Sequence, residues 1–168
     1  MSSPSTNTLG KYQIIREIAR SNDIVYEAVD PTINRRVALK ELSVPVDAQG
    51  AQRRERIERF WREGKAAGRL SHPNIVTIFE VGKDGDRHFI AMEFLEGQTL
   101  RDMLQARGPL PIQDVKNYAL QLCSALAYAH ENSVIHRDIK PENVQILPGG
   151  HVKLTDFGIA RLMGEPSI

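Results

Sequence analysis

The stretch HRDIKPENVQILPGGHVKLTDFG, His136 to Gly158, sets two carboxylates, an amide and an ammonium close together: Asp138, Asn143, Asp156 and Lys140. Asp138 and Asn143 share one loop, and Asp156 lies just past a strand hairpin, so one rim can carry all three. A carboxylate can orient and deprotonate an attacking hydroxyl, while an amide oxygen and a second carboxylate are hard donors that suit Mg2+ held against phosphates. Lys140 can neutralise charge on a moving phosphoryl group. Upstream, in VALK, Ala38 and Lys40 point to the same side of a strand because side chains alternate. A small residue beside a lysine leaves room for a flat base next to its phosphates. A lysine in such a cleft needs a counter-charge; Glu63 on the neighbouring helix is the best placed, with Glu55 and Glu58 in competition and only helix phase separating them.

These groups need elements to carry them. From Tyr12 to about Glu93 the chain shows short β-branched runs, YQIIREI, IVYEAVD, RVALKEL, NIVTIFEV and RHFIAME, which predict five strands. GKDGD joins the last two as a hairpin. One amphipathic helix, AQRRERIERFWREGKAAGRL, interrupts them, with Ile57, Phe60, Trp61 and Ala67 on one face. After EFLEGQ the pattern turns helical. Thr99 and Asp102 form a capping box for LRDMLQAR, which Gly108-Pro109 stops. Pro111 opens a core helix with Ile112, Val115, Tyr118, Ala119, Leu122, Leu126 and Ala129 on one stripe. Two short strands, NVQIL and HVKLT, follow around PGG.

Composition limits the partners. The 168 residues are 41% hydrophobic and 26% charged with a net charge of +1, so no global field recruits nucleic acid or an anionic membrane. Glu55, Glu58 and Glu63 interleave with the arginines of the first helix and make it a solvated face. Cys123 cannot form an internal disulfide, and its apolar helical setting predicts a buried structural thiol. The opening MSSPSTNT reads as a frayed tail, residues 1–11, and there is no transmembrane run. His72 reads as a turn residue, and His88 and His151 as surface strand residues; no His/Cys cluster has metal spacing.

VALK, HRDIKPEN and DFG, in this order and on these elements, resemble the eukaryotic-type Ser/Thr protein kinases, especially their bacterial members, over nearly the whole chain. The resemblance implies an α+β, bilobal protein-kinase-like fold: a five-stranded antiparallel N-lobe with one helix over 12–95, and a truncated, mainly helical C-lobe over 96–168 that ends in the activation segment. It implies ATP and Mg2+ as cofactors and a protein Ser/Thr hydroxyl as acceptor. By the same resemblance Asp138 is the catalytic base, Lys140 marks the Ser/Thr-specific loop, and Asn143 and Asp156 ligate Mg2+. Lys40 contacts the α/β-phosphates and pairs with Glu63. Ile18, Val25, Ala38, Met92, Glu93, Leu95 and Gln145 line the nucleotide, with Met92 as gatekeeper and the Glu93 and Leu95 main chain on the adenine edge. Ile78, Ala67, Phe157 and His136 match the hydrophobic spine, and HPNIV matches the turn into the fourth strand. A cytoplasmic location is the default expectation, and an N-lobe dimer is left open.

Three departures stand out. The family's phosphate-covering loop is G-x-G-x-x-G-x-V, whereas this chain has ARSNDIV, Ala19 to Val25, without a glycine and one residue short. The hairpin there must be tight, and the missing glycines should weaken nucleotide affinity or turnover more than abolish chemistry. Gln145 stands where the family has an apolar residue. The chain also ends at Ile168, before the APE region and later helices, which reads as the front part of a longer kinase. A pseudokinase that binds nucleotide or a partner, and a small-molecule phosphotransferase of related fold, are the rival readings; the complete Lys40, Asp138, Asn143, Asp156 set argues against the first and Lys140-Pro141-Glu142 against the second.

Overall fold

The computed structural model describes residues 7–21, 23–44 and 50–157, and the backbone of 161–162. Asn22 and Gly158, named in the motifs above, lie outside the described residues. The chain divides into two compact units, Met1–Trp61 with Ile78–Phe94, and Arg62–Thr77 with Leu95–Ile168.

The first unit is a six-stranded antiparallel sheet in the order β1-β2-β3-β4-β6-β5. Its strands are β1 (Thr8–Leu9), β2 (Tyr12–Arg20), β3 (Asp23–Asp30), β4 (Arg35–Leu42), β5 (Ile78–Asp84) and β6 (Arg87–Glu93). Six strands replace the expected five because β1 belongs to the stretch read as a tail. Leu9 pairs with Tyr12 and is fully buried, so an apolar side chain anchors this end. Leu9, Tyr12, Ala28, Val37, Leu39, Phe89 and Ala91 form one core cluster. A second cluster joins Leu42, Phe60 and Ile90, with Ile57 packed against it, so helix α1 (Ala51–Ala67) lays its apolar face on the sheet. Burying Phe60 contributes about 1.5–3 kcal/mol.

β5 begins at Ile78, four residues later than the run NIVTIFEV suggests. The backbone of Asn74 to Val76 is already committed elsewhere: Leu154 N–H donates to Asn74 O (2.8 Å), Val76 N–H to Leu154 O (3.0 Å), and Ile75 bridges Leu154 in parallel. His72 Nδ1 accepts from Asn74 N–H and shapes the turn before it.

The second unit holds β7 (Gln98–Thr99), α2 (Leu100–Arg107), α3 (Ile112–Glu131), β8 (Val134–Ile135), β9 (Val144–Ile146), β10 (Val152–Leu154) and β11 (Arg161–Leu162). The Thr99–Asp102 capping box is complete, with both reciprocal bonds made. A three-stranded sheet runs β10-β9-β7, and β11 pairs with β8. Gly97 has φ 143°, and a Cβ there would stand 2.3 Å from Ile146 O, so the strand entry requires glycine. The buried Asn74 side chain donates to Val152 O and to Gln121 Oε1, both at 2.9 Å, and so ties the Asn74–Val76 segment to β10 and α3.

Two expectations for α3 need correction. Tyr118, Ala125 and Ala129 are buried and Leu122 and Leu126 half-buried, but Ile112 is 76% exposed, Val115 45%, and Ala119 is exposed as well. The packed line runs 118, 122, 125, 129, and the first turns of the helix meet no covering element among the described residues. Cys123 is exposed because it falls off that line.

Candidate active site

In the first unit, register decides which side chains meet. β3 and β4 pair Val25 with Lys40 and Glu27 with Ala38, and β6 pairs Met92 with Ala38 and Ile90 with Lys40. Directly opposed residues share a sheet face, so Val25, Ala38, Lys40 and Met92 stand on one face, as the alternation in VALK predicts for the first two. Ala38 is buried there and Lys40 and Met92 half-buried. Glu93 closes β6 opposite Val37. Ile18 is the extra residue of a bulge, between the Glu17–Tyr26 and Ala19–Val25 pairs, and is partly exposed.

The turn from β2 to β3 is tight. Arg20 pairs with Ile24, and Ser21 N–H donates to Asp23 O at 3.0 Å. Asp23 begins β3 two residues before Val25, so it lies on Lys40's face as a diagonal neighbour. Its Oδ2 is 3.5 Å from Lys40 Nζ, with both side chains 16% exposed. In the sequence, turn formation alone accounts for Asp23, although strand alternation also carries its pairing with Lys40.

In the second unit the loop from His136 to Asn143 is a closed hydrogen-bond circuit. His136 is fully buried and packs at a tilt against Phe157, ring centroids 4.5 Å apart and planes inclined by 56°. Its Nδ1 accepts from Asp138 N–H (3.2 Å), which leaves Nε2–H to donate to Thr155 O (2.9 Å). Burial holds the imidazole below its ordinary pKa, in keeping with that neutral tautomer. Asn143 Nδ2 donates to Asp138 O (2.8 Å) and Oδ2 (3.1 Å) and so fixes the carboxylate. Lys140 Nζ stands 3.1 Å from the same Oδ2. The Lys140 ammonium, then the Asn143 amide, hold the Asp138 carboxyl below the usual carboxylate range, and Asp138 in turn raises Lys140.

Asp156 joins this loop through its neighbour: Thr155 N–H and Oγ1–H both donate to Asn143 O, at 2.8 and 3.2 Å. Arg137 and Asp156 adopt φ of 67° and 56°, a left-handed conformation that non-glycine residues rarely take and that clusters at functional sites. Gln145 is half-buried on β9, opposite Thr99 and Lys153, and Leu95 is half-buried just before β7. Among the three competing acidic residues of α1, Glu55 and Glu58 are exposed and Glu63 is buried at 8%.

Three further histidines have structural partners. His72 Nε2 is 3.1 Å from Ser124 Oγ, and His151 Nε2 is 2.9 Å from Pro73 O. His88, read as a surface residue, is half-buried and accepts from Trp61 Nε1–H through Nδ1 at 2.9 Å. Among the described residues no three His, Cys, Asp or Glu side chains form a metal-binding group, and no helix is long and apolar enough to cross a membrane.

The protein kinase domain family matches residues 21–167. The chain is 42% identical over 160 residues to the serine/threonine-protein kinase PrkC of Bacillus subtilis, covering 95% of this chain and 24% of that protein. It is 40% identical over 153 residues to the serine/threonine-protein kinase PknK of Mycobacterium tuberculosis, covering 89% and 13%, and 36% identical over 166 residues to the probable serine/threonine-protein kinase pknA2 of Bifidobacterium longum, covering 98% and 22%. The chain therefore spans about a quarter or less of the length of these relatives.

Proposed function

Since this chain belongs to the protein kinase domain family, we propose that it carries the nucleotide-binding and catalytic-loop part of a Ser/Thr protein kinase, which transfers the γ-phosphoryl of Mg·ATP to a protein Ser or Thr hydroxyl. The observation that carries this reading is the bonded circuit Lys140–Asp138–Asn143, tied through Thr155 to Asp156. Asp138, whose carboxyl its partners Lys140 and Asn143 hold below the usual range, accepts the proton of the attacking hydroxyl at its carboxylate. Lys140, beside it, offsets negative charge on the phosphoryl group in transfer.

Asn143 and Asp156 suit a magnesium ion. With Nδ2 spent on Asp138, the Asn143 Oδ1 is turned away as a hard acceptor, and Asp156 adds a carboxylate from the segment bonded to Asn143. Two protein oxygens would be enough to hold it where phosphates and water supply the remaining ligands. When bound, the ion neutralises charge on the β- and γ-phosphates.

Lys40 supports the α/β-phosphates, with Glu63 as the carboxylate that orients it. Ile18, Val25, Ala38, Met92, Glu93, Leu95 and Gln145 line the base. In family terms residues 12–95 correspond to the small lobe and 96–168 to the opening part of the large lobe, and the cytoplasm, which supplies ATP, is the proposed site of action.

Calorimetric titration of Mg·ATP into the intact protein tests the reading, with Lys40→Met and Asp156→Ala as controls. Binding that both substitutions weaken supports it; a folded protein that binds no Mg·ATP overturns it. The glycine-free turn also favours a second reading, a pseudokinase that binds nucleotide without transferring phosphate. Saturable binding with no phosphorylated protein product would select that one.

A further inference from the structure

Counting back from Val25 along G-x-G-x-x-G-x-V, the place of the last glycine is held by Asp23. Its carboxylate faces three groups of the first unit at once. Oδ2 is 3.5 Å from Lys40 Nζ, Oδ1 is 3.5 Å from Arg56 Nη2 on α1, and Oδ1 accepts from Ser43 N–H at 3.2 Å. The geometry points to Asp23 as a built-in competitor for phosphate: a fixed carboxylate that occupies the Lys40 ammonium and must yield it when a nucleotide's phosphates arrive. This inference rests on the nucleotide-site reading of Lys40 and adds to it a residue that sets how strongly the site discriminates by ligand charge.

Three physical points support it. The register makes the pairing a consequence of sheet geometry, because Asp23 lies two residues from Val25, which is directly opposite Lys40. Both side chains are mostly withdrawn from water, so their attraction is less screened than that of a surface pair. Asp23 also has somewhere to go: Arg56 and the Ser43 N–H hold the carboxylate after Lys40 leaves it, so the exchange strands no buried charge. An ordinary glycine-rich turn offers the phosphates backbone N–H groups with no side chain in the way. Here the same position carries a negative charge that raises the cost of bringing in a polyanion and has no such effect on an uncharged nucleoside.

Affinities of the intact protein for Mg·ATP and for adenosine, measured for wild type, Asp23→Asn and Asp23→Ser, test the inference. Asparagine keeps the acceptor for Ser43 N–H and removes only the charge; serine is a second neutral replacement should the first perturb the turn. The expected result is Mg·ATP affinity tightened by roughly three- to tenfold in both variants, a gain that shrinks as salt is raised, and adenosine affinity within about twofold of wild type. Mg·ATP affinity that is unchanged or weaker in both variants overturns the inference while leaving the nucleotide site standing, and so does an equal gain for adenosine, which would mark Asp23 as a shape element. Wild type and variants that bind neither ligand overturn the nucleotide-site reading and this inference with it.

Discussion

The loop from His136 to Asn143 and the turn from Arg20 to Asp23 both match parts of the family pattern that deal with phosphate, and they differ in kind. In the loop each proposed task falls to a side-chain atom: the Asp138 carboxylate, the Asn143 amide and the Lys140 ammonium, all within 3.1 Å of a partner in the circuit. The turn's task in the family pattern falls to the backbone, with glycine valued for what it lacks. A role carried by a side chain leaves little room for another residue, and the loop keeps the family's letters at Asp138, Lys140 and Asn143. Backbone chemistry tolerates other residues as long as the hairpin closes, and Ser21 and Asp23 close it with a 3.0 Å bond. The tolerated residue then brings chemistry of its own, here a carboxylate on Lys40.

The largest effect expected on the loop side is that of Asp138→Asn, which keeps the shape and removes the proposed base. Turnover should fall by about 10²- to 10⁴-fold, read as phosphorylated protein product per enzyme. Near-normal turnover would mean that the loop's side chains are as replaceable as the turn's, and the comparison would lose its footing. Next comes the scaffold under Asp156. Asn74→Ala strands Val152 O and removes a donor to Gln121 Oε1 in a buried setting, so it should destabilise the fold by about 1–3 kcal/mol in denaturant unfolding. A loss under about 0.5 kcal/mol would show that β10 does not depend on this tie.

A smaller effect sharpens the electrostatics. The Asp138 carboxyl is held low chiefly by Lys140. Its anionic form therefore persists as pH falls below the ordinary carboxylate range, and the activity that needs it is lost only as pH passes through the depressed value. In Lys140→Met the acidic limb of the pH–rate profile should move upward, toward the ordinary carboxylate pKa, because the first cause of the depression is gone. An acidic limb that stays in place would assign the depression to Asn143 or assign the limb to another group.

Much of this was legible in residue order. VALK gave the shared face of Ala38 and Lys40 through simple alternation, and the Thr99–Asp102 box and the tight glycine-free hairpin followed from local chemistry. Non-local commitments were harder to read. The run NIVTIFEV looks like one strand, but Asn74 to Val76 spend their backbone bonds on Leu154, far along the chain. Thr8 and Leu9 look like tail because a two-residue strand has no periodicity, and only the pairing with β2 and the burial of Leu9 reveal it. The apolar stripe of α3 held at Tyr118, Leu122, Leu126 and Ala129 and failed at Ile112, Val115 and Ala119, since periodicity marks a face without saying what packs on it. Asp23 was hidden differently: an Asp in a turn already has a sufficient local explanation, so its cross-strand charge partner went unsought.

The contrast between loop and turn is tested most directly by kcat and ATP KM for the intact protein, Asp138→Asn and Asp23→Asn in one phosphotransfer assay. The account predicts that Asp138→Asn loses kcat while its ATP KM moves by less than about threefold, and that Asp23→Asn lowers the ATP KM. A wild-type kcat in Asp138→Asn, or an ATP KM that stays put or rises in Asp23→Asn, would contradict it.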